Sequence, residues 1–79
     1  MATLRLFASA REAAGTGRDT FEEPTVGAVI EAATRRYGPA FAAVLPTCKI
    51  WLNGDSVDPS TPVGSRDEVA VLPPVSGGC

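Results

Sequence analysis

Asp67-Glu68-Val69-Ala70-Val71-Leu72-Pro73-Pro74-Val75-Ser76-Gly77-Gly78-Cys79 joins two segments of opposite character. From Val69 to Leu72 the chain is apolar at both alternating positions, the pattern of a strand inside a sheet rather than at its edge. From Pro73 onward the side chains thin out. Two prolines hold φ at roughly −65° and lack a backbone N–H, so the arm sets out extended. Gly77 and Gly78 carry no Cβ and fit a channel too narrow for other residues. The division predicts a folded domain over residues 1–72 and a flexible, extended tail over residues 73–79, built for insertion into another molecule.

Upstream of that strand, Asp58 to Arg66 is rich in Pro, Ser and Thr and reads as loop. Cys48 to Leu52 reads as a strand, broken by Asn53-Gly54, a strong tight-turn pair, with a brief return strand at Ser56-Val57. Pro39 to Leu45 suits a short helical turn. The main helix is marked by Val26, Val29, Ile30, Ala33 and Tyr37, an apolar stripe at helical spacing. Thr25 stands at its cap position, and Gly38-Pro39 ends it. Arg18 to Glu23 suits a strand antiparallel to the first. Ser9 to Ala14 reads as a short helix with Ser9 as N-cap and Gly15 as stop. Thr3 to Ala8 reads as the first strand, with Leu4 and Leu6 on one face and Thr3, Arg5 and Phe7 on the other.

The order β, short α, β, α, β, β, β predicts an α+β fold, a mixed sheet of four to five strands with one main helix on one face. The first and last strands are expected side by side near its middle. One helix covers one face, so the other leaves apolar side chains against water. Phe7 and Leu72, next to the tail, are the candidates, although Leu72 suits a core position equally well.

At 79 residues the chain has room for one domain, and such a chain buries only about 60% of its unfolded surface, so each core side chain matters. Seven basic and nine acidic residues give a net charge of −2 without a basic run, which speaks against nucleic acid as a partner. There is neither a membrane-length apolar run nor a signal-peptide stretch at Met1-Ala2-Thr3-Leu4-Arg5, so the expected location is the cytoplasm. The chain has no histidine, and its two cysteines, Cys48 and Cys79, make neither a zinc site nor a disulfide framework. No metal and no bound cofactor are expected. No Ser or Cys has an activating partner in sequence, so the chain reads as substrate or carrier rather than catalyst. Cys48, at the head of an apolar strand, reads as a small buried hydrophobe, and Lys49, the only lysine, as a solvated charge.

Leu6-Phe7-Ala8 with Arg11-Glu12, the Asn53-Gly54 hairpin, and above all Asp67 to Gly78 carry a resemblance over nearly the full length. The chain resembles the ubiquitin-like sulfur carriers of the MoaD and ThiS type, and its Pro-Pro ending is most similar to that of molybdopterin synthase small subunits. The resemblance implies a β-grasp fold and a C-terminal glycine, here Gly78, that is adenylated with ATP by an E1-like adenylyltransferase/sulfurtransferase and converted to a thiocarboxylate. Gly77 would be the second slim residue, and Pro73, Pro74, Val75 and Ser76 the lead-in that enters a molybdopterin synthase large subunit. Phe7 and Leu72 fall at partner-facing positions and Arg11 at one that meets the activating enzyme, where a solvated charge is the plainer alternative.

Two departures stand out. Relatives of this kind have an Asp-Gly turn before the last strand, where this chain has Ser65-Arg66, and Gly64 is expected to take over the unusual backbone angle. Cys79 follows the diglycine and locks the Gly78 carboxyl in a peptide bond. Three readings of it stay open: a precursor residue removed by a processing peptidase, a harmless extension, or a thiol that shifts the Gly78 acyl group onto sulfur. The function also stays open between a carrier for molybdopterin, a carrier for thiamine, cysteine or secondary-metabolite sulfur, and a protein modifier conjugated to lysines.

Overall fold

Strand β1 (Ala2–Leu6) and strand β5 (Glu68–Leu72) lie parallel in the middle of a five-stranded sheet of order β2-β1-β5-β3-β4 in the computed structural model, which describes residues 1–74. The tail positions Val75, Ser76, Gly77, Gly78 and Cys79 fall outside the described residues. Strand β2 (Arg18–Phe21) flanks β1, and β3 (Lys49–Leu52) flanks β5, both antiparallel, with β4 (Asp55–Ser56) on the outer edge. Among the described residues there are also three α-helices, α1 (Ala8–Ala14), α2 (Val26–Tyr37) and α3 (Pro39–Val44), the last followed by a 3-10 turn at Leu45–Thr47. This is the expected β-grasp arrangement, with central β5 the strand that is apolar on both sides.

The core lies on one side of the sheet. Leu4 and Leu6 of β1 and Val69 and Val71 of β5 point to the same face and meet Val26, Val29 and Ala33 of α2, Ala10 of α1 and Phe41 of α3; all are buried. Burying a Val, Leu or Phe side chain is worth about 1.5–3 kcal/mol, which makes these side chains the main source of stability in so short a chain. The C-terminal end of α2 is clamped to β2. Tyr37 Oη donates to Asp19 at 2.7 Å, Arg36 pairs with the same carboxylate at 2.9 Å, and the Arg36 guanidinium sits 4.2 Å from the centre of the Phe21 ring. Burial pushes the Asp19 carboxyl up, but the hydrogen bonds from Tyr37, Arg36 and the Thr20 N–H outweigh it and hold the group below its ordinary value. Burial and the same bond push the Tyr37 hydroxyl upward.

Several boundaries follow from local chemistry. Thr25 caps α2, its hydroxyl accepting from Ala28 N at 3.2 Å, and Gly38, at φ 95°, lets the chain reverse into Pro39. Asn53 and Gly54 have φ of 52° and 89°, the pair of positive values that a two-residue hairpin turn requires. Strand β1 ends at Leu6, earlier than the expected Ala8, and β4 falls one residue before the expected Ser56-Val57.

Two expectations are corrected. Ser9 is not the cap of α1: the helix starts at Ala8, directly behind the strand, with Phe7 at the cap position and no side-chain hydrogen bond there. Ala8 itself turns the corner at φ 51°, so the serine already lies inside the first turn. Gly64 does not take an unusual angle either, since its φ is not positive. The turn before β5 is held by Asp67, whose carboxylate accepts from Gly64 N at 2.7 Å while Asp67 N donates to Gly64 O at 3.1 Å. A side-chain acceptor thus replaces the glycine conformation.

Candidate functional site

The face of the sheet turned away from the helices is built by the alternate residues of the same strands. Register places Thr3 and Arg5 of β1 beside Glu68 and Ala70 of β5, and Ala70 and Leu72 beside Trp51 and Lys49 of β3. Phe7 continues the β1 row, next to Leu72 because Leu6 pairs with Val71. Phe7 N donates to Val71 O at 3.3 Å, which closes the strand pair where the tail begins. Phe7 is 38% exposed and Leu72 half-buried, so the expected pair is brought together on the uncovered face. Pro73 is half-buried and Pro74 exposed, so the root of the tail rises from the middle of the sheet.

Trp51 is the residue the sequence reading passed over. It is 38% exposed on the same face, beside Ala70 and Ser56, neighbours too small to cover an indole. Alternation in Lys49-Ile50-Trp51-Leu52 carried the signal: Ile50 and Leu52 pack against the core, which turns Trp51 outward. With Phe7, Ala70 and Leu72 it forms an apolar strip beside the tail root. Exposed aromatics of this kind are characteristic anchors of protein interfaces.

Arg11 lies apart from the strip, exposed on α1 and folded over the β2 approach: a Cβ placed on Gly17 would stand 3.3 Å from its Nε. The guanidinium of Arg5 sits 5.6 Å from the centre of the Phe7 ring and pairs with Glu68 at 3.4 Å. The far end of β5 is pinned by Asn53, whose Oδ1 accepts from Glu68 N at 2.9 Å and whose Nδ2 donates to Asp67 at 3.0 Å. That amide, with the Gly64 N–H, holds the Asp67 carboxyl below its ordinary value. The strand that carries the tail is thus fixed at both ends.

Little in the described part resembles a catalytic centre. A cleft of about 410 Å³ between α2 and the β3–β4 hairpin is lined by Val26, Ile30, Ile50, Val57 and Pro59, with Lys49 its one titratable side chain. Cys48 is half-buried with its Sγ 3.4 Å from Val44 O, and burial pushes its thiol upward, away from a reactive thiolate. No group of three or more His, Cys, Asp or Glu placed to hold a metal ion occurs among the described residues. No helix among them is long and apolar enough to cross a membrane. What the geometry offers is a rigid handle: an apolar docking strip with a tail root at its edge.

Comparison with known proteins agrees with that geometry. Residues 4–78 match the ThiS family. A molybdopterin synthase sulfur carrier subunit of Chlamydomonas reinhardtii is 37% identical over an 81-residue alignment taking in 91% of this chain and 92% of the relative. The solution structure of small archaeal modifier protein 1 from Methanosarcina acetivorans superposes with a TM-score of 0.86 at 30% identity, over 98% of this chain and 95% of that one. A Helicobacter pylori complex of subunits 1 and 2 of molybdopterin-converting factor matches with a TM-score of 0.72 at 23% identity, over 98% and 97%, a likeness of fold.

Proposed function

The chain belongs to the ThiS family and is a sulfur carrier of the ThiS/MoaD type, and from that premise we propose that it serves as the sulfur-bearing small subunit of a molybdopterin synthase. The observation that carries this reading is the tail root beside Phe7, Leu72 and Trp51, together with identity to the algal sulfur carrier subunit along nearly the whole chain.

Chemically, the Gly78 carboxylate is a poor electrophile until it gains a leaving group. An E1-like enzyme supplies one by joining it to AMP from ATP. The outer sulfur of an enzyme persulfide then displaces AMP to give an acyl disulfide, and a second enzyme thiol cleaves its S–S bond, becoming a disulfide itself and leaving a thiocarboxylate that is anionic at neutral pH and nucleophilic at sulfur. Gly77 and the Pro73 to Ser76 lead-in bring that sulfur into the large subunit, which provides the cationic pocket and the acid–base groups. Two deliveries complete one dithiolene. Cys79 must leave first, because a peptide-bonded carbonyl is no substrate for adenylation, so a processing peptidase gates the carrier.

The test is a pull-down from the cell of origin with a chain ending at Gly78. Recovery of a molybdopterin synthase large subunit is the expected result. Recovery of a thiamine, cysteine or secondary-metabolite enzyme instead would move the same chemistry to another pathway. A second reading, conjugation to lysines of other proteins, is favoured by the likeness to the archaeal modifier. It predicts high-mass adducts on a blot, where a carrier gives only free protein.

A further inference from the structure

The two edges of the sheet are finished differently. On β2, Gly17 O accepts from Leu6 N at 3.0 Å, and strand alternation then turns the main-chain groups of Arg18 and Thr20 outward. Side chains of the domain occupy them all. The Thr16 hydroxyl accepts from Arg18 N at 3.4 Å and donates to Arg18 O at 3.0 Å, Asp19 Oδ1 accepts from Thr20 N at 2.8 Å, and Arg36 donates to Thr20 O at 3.4 Å. An edge closed in this way has little left to offer a further strand.

The opposite edge stops short. Strand β4 has two residues and pairs with Trp51 and Leu52, so Lys49, Ile50 and the extended backbone of Cys48 have no strand on their outer side among the described residues. The cleft of about 410 Å³ between β3 and α2 lies there. Ile30, Ile50 and Val57 line it, each packed on the core yet still partly accessible. Its wall at the start of α2 is set by Pro59: Gly27 N donates to Pro59 O at 2.7 Å, and a Cβ on Gly27 would stand 3.1 Å from Pro59 Cβ. The cleft is therefore preformed. Register turns Ile50 to the helix side with Val71, while Lys49, exposed at the rim, follows Leu72 to the other face.

An unpaired strand edge beside an apolar pocket is the surface that takes an extended peptide, whose backbone bonds to the edge while alternate side chains enter the pocket. A helix would bring a backbone already satisfied. A second copy of this chain fits no better, since two β3 edges meeting about a two-fold axis bring Lys49 towards Lys49, and the β2 edge is closed. We infer that the β3 edge and its cleft bind an extended segment of a partner protein in which aliphatic residues alternate with acidic ones. The segment adds to the sheet as a strand, an aliphatic side chain filling the cleft and a carboxylate on the next residue meeting Lys49. The lysine that deters a second copy thus selects the acidic strand. Phe7 lies on β1, two strands away, so a segment held at this edge leaves Phe7 and the tail root open to a different partner. The inference does not rest on the function proposed above.

The test titrates the full chain with the blocked peptide Glu-Val-Glu-Val-Glu-Val and follows amide NMR shifts. Saturable shifts are expected at residues 27–30, 48–50 and 56–59, with Phe7 and Thr20 unmoved. The same peptide, fully N-methylated, should bind about tenfold more weakly, because its main-chain bonds to the edge are lost. In Lys49→Glu, an exposed position where the fold is retained, the glutamate peptide should weaken roughly fivefold and Lys-Val-Lys-Val-Lys-Val should bind the better of the two. Equal binding of the N-methylated peptide, shifts of the same size with octanoate, or self-association through the same residues without peptide would each overturn the assignment, as would shifts elsewhere or none. Thiolation plays no part in this readout, so the fate of the tail and that of this edge are decided separately.

Discussion

Strands β1 and β5 present two faces made from alternating residues of the same two short segments, and the faces do different work. On the helix side Leu4, Leu6, Val69 and Val71 are buried and carry the stability of the domain. On the other side Arg5, Phe7, Glu68, Ala70 and Leu72 remain wholly or partly accessible, with Trp51 added from β3. Stability and recognition are separated by the two-residue period of a strand, so a change at one position should disturb one and spare its neighbour.

The sharpest way to break that division is Leu4→Ala. Loss of a fully buried leucine should cost about 3 kcal/mol and, at roughly 4–8 °C per kcal/mol for a domain of this size, lower the melting midpoint by more than 10 °C. Calorimetry or a circular-dichroism melt checks this, and a shift of only a few degrees would mean that the helices do not lean on β1 as described. Phe7→Asp, three residues on and facing the other way, should weaken partner binding by about 2 kcal/mol, near 30-fold, while the midpoint stays within a few degrees. Unchanged binding in a titration would remove Phe7 from the docking strip.

Trp51→Ala should cost roughly 1 kcal/mol of binding with the fold retained. Because Trp51 is the single tryptophan, the unsubstituted protein carries its own reporter: the indole emission should move to shorter wavelength when a partner covers it. Emission that stays constant through saturation would place the partner elsewhere.

The smallest effect belongs to the clamp at the end of α2. Asp19→Asn removes a partly exposed ion pair and weakens the bond from Tyr37, so a loss of about 1 kcal/mol or less is expected at neutral pH. The Asp19 carboxyl titrates below its ordinary value in the folded chain. Its contribution is therefore complete above the unfolded-state value of about 3.9 and disappears as pH falls through the folded one. The variant should lose less stability than the parent as pH falls from about 5 through the acid range below 3.9, with Asp67 still contributing to the remaining slope. Parallel melting curves for the two proteins across that range would contradict the role given to Asp19.

Much of this was legible beforehand because it depends on periodicity and on turn residues. The stripe from Val26 to Tyr37, the Asn53-Gly54 turn and the two-sided apolar run of β5 each translate directly into structure. Phe7 was placed by alternation alone. What escaped depends on contacts distant in sequence. Asp67 holds the turn at Gly64, and Ser9 loses its capping position to a strand that runs straight into α1. The pairing of Arg5 with Arg18 across the uncovered face needed the β1–β2 register. Trp51 was within reach, had the faces of β3 been assigned as those of β1 were.

The central claim, that sulfur is loaded on the carboxyl of Gly78 while the domain serves as its handle, is tested most directly by mass spectrometry. The chain ending at Gly78 is incubated with ATP, a sulfur donor and the activating enzyme of its own cell. The account predicts an ATP-dependent mass gain equal to one oxygen replaced by sulfur, confined to the C-terminal peptide. No gain, or one that persists without ATP or maps elsewhere in the chain, would contradict it.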